Sequence, residues 1–326
     1  MHTSVKTVIA ALIVATAGGA AGLARAAAGD TWPERAITVV VPFAAGASTD
    51  VGSRRLFQYV TQNTGWNFVI DNKPGANSII GAETALRGNP EYTLFAGGLT
   101  THAANPNLFK KLPYDPLGDF IPISRMELVP QVVFAAPKHK IDNFKQLLEL
   151  IQKNPGALSY GTGSESSRAA AETLLYNVKQ TGIRVPFPSS PAAMTNLIGG
   201  HLDFMVTDLA AAVPLIKSGQ LKPLAMMAPK RLDAFPTIPT TTELGLPSVQ
   251  IVSWSMILGV KGAPAHMIDK ISKQIQAYNN LQTTRDYFAE RGGYIEPQTP
   301  EQATAWVKAE IARYKQIYEM MGVQPQ

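Results

Sequence analysis

Residues 37–50, ITVVVPFAAGASTD, join an apolar β-branched run to a loop of small residues and then to a helix-capping sequence. This order predicts a strand, a loop and a helix N-terminus in direct succession. A helix N-terminus presents unpaired N–H groups and the positive end of the helix dipole, so it can hold an anion. Small side chains at 44–47 let a ligand approach the backbone, and Ser48 or Thr49 can add a hydroxyl. An ordinary βα turn is the alternative interpretation.

A second junction of the same kind follows in the middle of the chain. Residues 158–160 predict a strand, 161–167 (GTGSESS) are a loop of glycines and hydroxyls, and a helix is expected from Arg168 onward. Two such junctions facing each other would form a clamp. Long apolar runs at 129–136 and 249–260 predict two extended strands. Further strands are expected at 67–71, 92–96, 185–188, 202–206 and 221–227, and two amphipathic helices at the end. The alternation indicates βαβ units and a parallel sheet.

The first residues have the pattern of a secretory signal peptide. Lys6 is positive, residues 8–21 are apolar and small, and Ala24-Arg25-Ala26 offers a cleavage site. The apolar run is shorter than the roughly 20 residues of a spanning helix and is diluted by glycine, which disfavours a membrane anchor. We therefore expect residues 1–26 to be removed and the mature chain to be periplasmic.

Composition excludes several classes of function. The chain has no cysteine, which excludes a lipid-modified cysteine, disulfides and thiolate metal sites. Its net charge of +5 comes from scattered Lys and Arg without a basic run, so nucleic-acid binding is not expected. The five histidines are far apart and show no metal-binding spacing. No metal and no cofactor are expected.

Several motifs, in order along the mature chain, together resemble one family, the periplasmic solute receptors of tripartite tricarboxylate transporters, also called Bug-type receptors. The matching stretches are Trp32-Pro33-Glu34-Arg35, Val40-Val41-Pro42-Phe43, Asn72-Lys73-Pro74-Gly75-Ala76, Ile80-Gly81-Ala82, Leu112-Pro113-Tyr114-Asp115-Pro116, Gly199-Gly200 with Asp203, and Glu243-Leu244-Gly245.

The resemblance implies an α/β, type II periplasmic-binding-protein fold, with two doubly wound lobes joined by two crossover strands. Residues 31–129 plus 253–326 would form lobe 1, and 130–252 would form lobe 2. The protein would close over its ligand without catalysis. Its partners would be a small carboxylate and integral-membrane transporter subunits, and a monomer is expected.

In this family a ligand carboxylate is held between the first βα loop and the facing loop of the second lobe. The candidate ligand-binding residues from these two loops are Phe43, Ala45, Gly46, Ala47, Ser48, Thr49, Asp50, Ser164, Ser166, Ser167 and Arg168. Thr101, in a third loop at the end of a strand, and Asp208 are further candidates. The chain departs from the family pattern at this site. It has Gly46-Ala47 in place of two glycines, and Thr207-Asp208 in place of an aspartate-asparagine pair. The lining is therefore expected to differ from that of other members.

Arg168 is the sharpest hypothesis, because a cation at a helix start needs a compensating anion, such as a ligand carboxylate. The alternative is an ion pair with Glu165 or Glu172 on the helix surface. One of the serines in this loop is expected to cap the helix. Asp208 could recognise a ligand amine or hydroxyl, or make a structural hydrogen bond.

These residues favour a receptor for a small carboxylate. A di- or aromatic carboxylate is preferred, for example a terephthalate-like compound, because one cation and two helix ends suit one or two anionic groups. Phe43 and Phe187 could add apolar walls. Two alternatives stay open. One is a secreted hydrolase for a carboxylate ester or amide, although no G-x-S-x-G motif occurs. The other is a ligand-sensing receptor for a membrane kinase.

Overall fold

The structure is a computed structural model that describes residues 32–325. The predicted signal peptide, residues 1–26, and the first and last residues of the predicted first lobe lie outside the described residues. Within 32–325, no helix combines the length and the apolar character needed to cross a membrane.

The described chain alternates strands and helices. The strands are β1 (Ile37–Val41), β2 (Phe68–Asn72), β3 (Thr93–Gly98), β4 (Phe120–Ala135), β5 (Ser159–Thr162), β6 (Ile183–Pro186), β7 (Phe204–Asp208), β8 (Pro223–Met226) and β9 (Val252–Val260). The helices are α1 (Ser48–Thr64), α2 (Ile79–Leu86), α3 (Asn105–Leu108), α4 (Phe144–Lys153), α5 (Glu165–Asn177), α6 (Ser190–Ile198), α7 (Leu209–Lys217), α8 (Ala265–Asn280), α9 (Gln282–Glu290) and α10 (Pro300–Met320).

One mixed sheet runs through the whole fold, in the order β2-β1-β3-β9-β4-β7-β5-β6, with β8 on β4. β1 pairs in parallel with β2 and β3, and β5 pairs in parallel with β6 and β7. β9 is antiparallel to β3 and to the first part of β4, up to Pro130. From Gln131 onward, β4 pairs with β7 and β8 instead.

This change of partner makes β4 a strand of two half-sheets, each covered by helices. The arrangement is the predicted α/β fold of two lobes joined by long strands. The boundaries at 129/130 and 252/253 stay a prediction, although β4 changes its partner at the first of them.

The prediction that the first crossover strand begins at residue 129 was wrong, because β4 begins at Phe120. Arg125 and Glu127 interrupt the apolar run, yet both side chains are buried. The guanidinium of Arg125 is accommodated by an ion pair with Glu296 at 2.8 Å and by the Trp306 ring, whose centre lies 4.0 Å away. A buried, paired charge can therefore lie in a strand that an apolar pattern does not reveal.

Two helical features also differ from the prediction. Three helices end the chain rather than two, because α9 follows α8 directly. α7 was not predicted, and Pro214 inside it is an unfavourable helix residue. The apolar stripes of the two predicted terminal helices are confirmed, since Met267 in α8 and Tyr314 in α10 are fully buried.

The buried apolar side chains of the described residues form three clusters, one in each lobe and one that spans both. One packs β1 and β3 against α1 and α8 and includes Leu56 and Ile271. Another packs β7 against α6 and α7 and includes Met205 and Leu197. The third runs across both lobes and includes Tyr314 of α10. The lobes are therefore joined by packing as well as by strands.

We expect Gly98→Ala to destabilise the protein by about 1–3 kcal/mol, because overpacking strains a close-packed core. A Cβ at Gly98 would lie 2.3 Å from the backbone oxygen of Trp254 on the neighbouring strand. Gly52→Ala is the matched control: it lies inside α1 with no atom within 4 Å of its added Cβ. That change should stabilise by up to about 1 kcal/mol through helix propensity. Urea unfolding measures both, and equal stability of Gly98→Ala and the wild type would contradict the packing argument.

Candidate functional site

A cavity of about 240 Å³ opens between the two lobes. Its walls come from the loop before α1, the end of β3, the start of α5, and the β4 and β9 strands that cross between the lobes. The carboxyl ends of β1, β3 and β5 meet here, which is where open α/β sheets bind ligands.

The loop before α1 is held from below by Asp50. The carboxylate of Asp50 accepts hydrogen bonds from the backbone N–H of Gly46 at 2.8 Å, from Arg54 Nε at 2.9 Å and from Asn72 Nδ2 at 2.9 Å. Burial opposes ionisation, but these hydrogen bonds outweigh it and lower the pKa of Asp50. Gly46 has a φ of 84°, a conformation that a side chain would strain. Asp50 therefore fixes the shape of the loop.

Four of the predicted residues in this loop line the cavity: Phe43, Ala47, Ser48 and Thr49. Ala45, Gly46 and Asp50 do not line it. Ala47 is the N-cap of α1 and makes no side-chain capping bond. The first N–H groups of α1 are thus left for another acceptor at the cavity wall.

The facing helix α5 is capped by its own serines. Ser167 Oγ accepts from the N–H groups of Gly163 at 3.1 Å and Ser164 at 3.0 Å, and Ser164 Oγ accepts from the N–H of Ser167 at 3.2 Å. The expected serine cap is confirmed. Ser164 and Ser166 line the cavity with hydroxyl oxygens 3.0 Å apart, whereas Ser167 is buried in the cap.

Arg168 does not line the cavity. Its Nε lies 3.0 Å from Glu172 Oε1, and its Nη1 lies 3.5 Å from Glu165 Oε1. Glu165 also accepts a hydrogen bond of 2.9 Å from the hydroxyl of Tyr318 on α10. The structure therefore places Arg168 in the ion pair that the sequence left as the alternative, within a network that ties α5 to α10.

Thr101 and His102 lie in the core beneath the cavity. Thr101 Oγ1 accepts from the N–H of Gly98 at 3.0 Å and lies 2.8 Å from His102 Nδ1. Burial lowers the pKa of His102 to about 3, so its ring is neutral. Thr100 lines the cavity in place of Thr101. Phe187 packs in the core of the second lobe rather than at the site.

Two carboxyl groups, Glu127 and Asp208, face the cavity from its floor. Asp208 Oδ1 accepts hydrogen bonds from Gln131 Nε2 and from Ser253 Oγ, each at 2.5 Å. Burial raises the pKa of Glu127 to about 8, the negative charge of Asp208 adds to the rise, and Arg291 opposes it. Burial also raises the pKa of Asp208.

The sequence reasoning missed Glu127, because it placed the start of the strand after this residue. A signal was present: residues 125–128, RMEL, alternate polar and apolar side chains as a strand does. A charged residue in a strand between two buried faces indicates either an ion pair or a site.

The lining combines hydroxyls with acids. Among the described residues that line the cavity there is no lysine or arginine, and within 32–325 no cluster of acidic or histidine side chains could hold a metal ion. Two helix N-termini and several hydroxyls at a cleft between lobes define a solute-binding protein.

Comparison with known proteins identifies the family. Residues 53–323 match the profile of the tripartite tricarboxylate transporter family receptor. Protein BugT of Bordetella pertussis is 30% identical over 307 residues, with 93% of this chain and 94% of BugT covered.

Two solved structures are similar along almost their whole length. An R. palustris protein with adipate is 26% identical with a TM-score of 0.84, covering 90% of this chain and 100% of that one. MatC from Rhodopseudomonas palustris with bound malate is 27% identical with a TM-score of 0.78, covering 88% and 99%. The chain belongs to the tripartite tricarboxylate transporter receptor family, whose members are periplasmic solute-binding receptors.

We expect Arg168→Ala to destabilise the fold by about 1–3 kcal/mol, since Glu165 would stay largely buried without its cation. Arg231→Ala is the matched control, because it breaks an exposed pair with Glu243 and should cost much less. Thermal unfolding of both variants measures the difference. A ligand role for Arg168 would instead show as weakened binding with unchanged stability.

The free energy of unfolding of Glu127→Gln should exceed that of the wild type by an amount that grows with pH. The folded-state pKa of Glu127 is about 8, above its ordinary value of 4.5, so its stabilising contribution is complete below 4.5 and is lost as the pH rises through 8. The free-energy gap between variant and wild type should therefore widen by a few kcal/mol from about pH 5 to about pH 9. Urea unfolding at both pH values measures it. Glu149→Gln, which removes an exposed carboxyl group from α4, is the matched control. Parallel curves for Glu127→Gln and the wild type would refute the burial argument.

Proposed function

We propose that this protein captures a small carboxylate between its lobes and delivers it to the membrane subunits of a tripartite transporter, without catalysis. The observation that carries the proposal is that the N-termini of α1 and α5 open onto one cavity, each with hydroxyl side chains at the wall. Both helix dipoles direct their positive ends toward the same space. The adipate and malate of the two solved relatives are also carboxylates.

The proposed contacts are the residues that the structure brings to the wall. Ser48 and Thr49 offer hydroxyls and the uncapped N–H groups of α1, and Ser164 and Ser166 offer hydroxyls from the other side. Each hydrogen bond to a charged group contributes roughly 1.5–3 kcal/mol, and micromolar affinity needs about 8 kcal/mol. Four or five such bonds suffice after the ordering costs. No protein cation is required.

Di- and aromatic carboxylates, including terephthalate-like compounds, stay within this proposal. Phe43 and Trp254 supply aromatic walls and Val129 an aliphatic one, so an apolar ligand body can be covered. Because Arg168 is paired with two glutamates, the groups proposed to bind the ligand carboxylate are the helix N-termini and their hydroxyls.

The remaining parts of the proposal concern cell biology. The chain would reach the periplasm by cleavage of residues 1–26, and it would act as a monomer that docks on its membrane partner when closed. A hydrolase is not favoured: no histidine lies among the described lining residues, so no Ser–His pair can form there. The lining serine that does contact an acid, Ser253, donates to Asp208, whose carboxyl also accepts from Gln131.

The test is calorimetry and thermal unfolding with a panel of mono-, di- and aromatic carboxylates and their uncharged amides. A ligand at 100 times its dissociation constant should stabilise the protein by about 2.7 kcal/mol. Thr49→Val, which removes one hydroxyl and keeps the shape, should weaken binding roughly fivefold. Thr61→Val, further along α1 and away from the cavity, is the matched control. Equal binding of amides and acids would exclude a carboxylate receptor.

A further inference from the structure

The cavity has two chemically different ends. The helix N-termini and their hydroxyls form the donor end, and Glu127 and Asp208 form an acidic end, with Ser253 beside Asp208. Glu127 projects from β4 shortly before that strand changes its partner, and Asp208 is the last residue of β7. A ligand that fills the cavity meets both ends.

The carboxyl group of Glu127 is the unusual feature of the acidic end. The residue is 7% exposed, and no described residue donates a hydrogen bond to its side chain. Its carboxyl oxygens are not among the fully enclosed polar atoms without a partner, so they reach the cavity. Its space is provided by Gly293, where a Cβ would lie 2.6 Å from Glu127 Oε1. A mostly buried carboxyl group without a protein donor is stabilised when a ligand in the cavity supplies one.

Asp208 is held in place beside it. Gln131 Nε2 and Ser253 Oγ both donate to Oδ1, and they also bond to each other at 2.8 Å. Among the residues of 32–325, no side-chain donor reaches Oδ2 of Asp208. Apart from the backbone N–H of Asp208 itself, which also favours the ionised form, the described residues leave the second oxygen open to a ligand in the cavity.

The charges around this end compensate the two acids only in part. Burial is the main cause of the raised pKa of Glu127, the charge of Asp208, from β7, adds to it, and Arg291, from the turn after α9, opposes it. The Arg291 guanidinium stacks on Tyr287, 4.7 Å from the ring centre. Tyr314 of α10 is fully buried, and its pKa is raised mainly by burial, then by Glu310, with a smaller contribution from the charge of Asp208. A cationic group from a ligand would therefore relieve the mutual repulsion of the two acids.

We propose that Glu127 and Asp208 bind an ammonium group, so that the ligand is an amino-substituted carboxylate. Its carboxylate meets the helix N-termini, which rests on the proposed function, and its ammonium lies between the two acids. An ammonium has three donors and no acceptor, so it can satisfy Glu127 and Asp208 Oδ2 together.

The competing hypothesis is that the ligand is a purely anionic diacid, and that a protonated Glu127 donates one hydrogen bond to its second carboxylate. That carboxylate would then face the acceptor oxygen of Asp208, which repels it. The two hypotheses predict opposite effects of pH on ligand affinity. Ammonium binding needs ionised Glu127, so affinity should rise with pH through about 8, where Glu127 titrates, and protons should be released on binding.

The experiment is calorimetry on the full mature protein with pairs of carboxylates that differ only by an amino group: β-alanine with propionate, γ-aminobutyrate with butyrate, and para-aminomethylbenzoate with para-methylbenzoate. For at least one pair, the amino member should bind tenfold or more tightly. Glu127→Gln should abolish most of that preference, and Asp208→Asn should reduce it. Glu149→Gln, which removes the same charge from an exposed position in α4, should leave the preference intact.

Proton release by the wild type, measured in buffers of different ionisation enthalpy, gives a readout that needs no variant. Failure of every amino-substituted probe to bind overturns the proposal. So does a diacid whose affinity falls with pH and survives Glu127→Gln. If butylamine binds as tightly as γ-aminobutyrate, the ammonium site stands and the proposed carboxylate function is wrong. If acids bind in preference to amides without any effect of the amino group, the function stands and this inference is wrong.

Discussion

The antiparallel pairing of β4 with β9 is the constraint on which the rest of the structure depends. It runs from the Phe120–Val260 pair to the Pro130–Val252 pair, and β4 then continues into the second lobe to pair with β7 and β8. Because the lobes share this strand, the loops at their sheet edges face each other across a cleft. The same two strands supply the cavity floor, including Glu127 and Trp254. Fold and site therefore rest on one set of backbone hydrogen bonds.

The two helix starts at the cleft are stabilised in different ways. α1 has no side-chain cap, and its preceding loop is held by the carboxylate of Asp50 from beneath. α5 is closed by a reciprocal bond between Ser164 and Ser167. The cleft thus offers dipoles and hydroxyls rather than protein cations. Arg168 follows the cavity-lining Ser166 closely in sequence, but it pairs with Glu165 and Glu172 on its own helix. Glu165 also accepts a hydrogen bond from Tyr318 of α10.

Much of the fold could be predicted, because strand–loop–helix junctions depend on neighbours in sequence. β1, β5 and the start of α5 fall close to their predicted positions, and the serine cap formed as expected. The start of β4 and the whole of α7 could not be predicted. A buried Arg125 and an internal Pro214 break the local patterns, and only contacts with distant residues make up for them.

The sequence by itself determined the family, the two-lobe α/β fold and the two loops that face the cavity, because each depends on short stretches of residues with definite backbone preferences. It also placed Ser48, Thr49 and Ser164 at the site. Only the tertiary structure decided that Arg168 is paired and that Glu127 stands beside Asp208. These side chains come from separate elements, and packing of β4 against β7 and of α10 against α5 sets their burial and charge. The residues next to Arg168 or Glu127 in sequence do not indicate which distant side chain lies beside it in the fold.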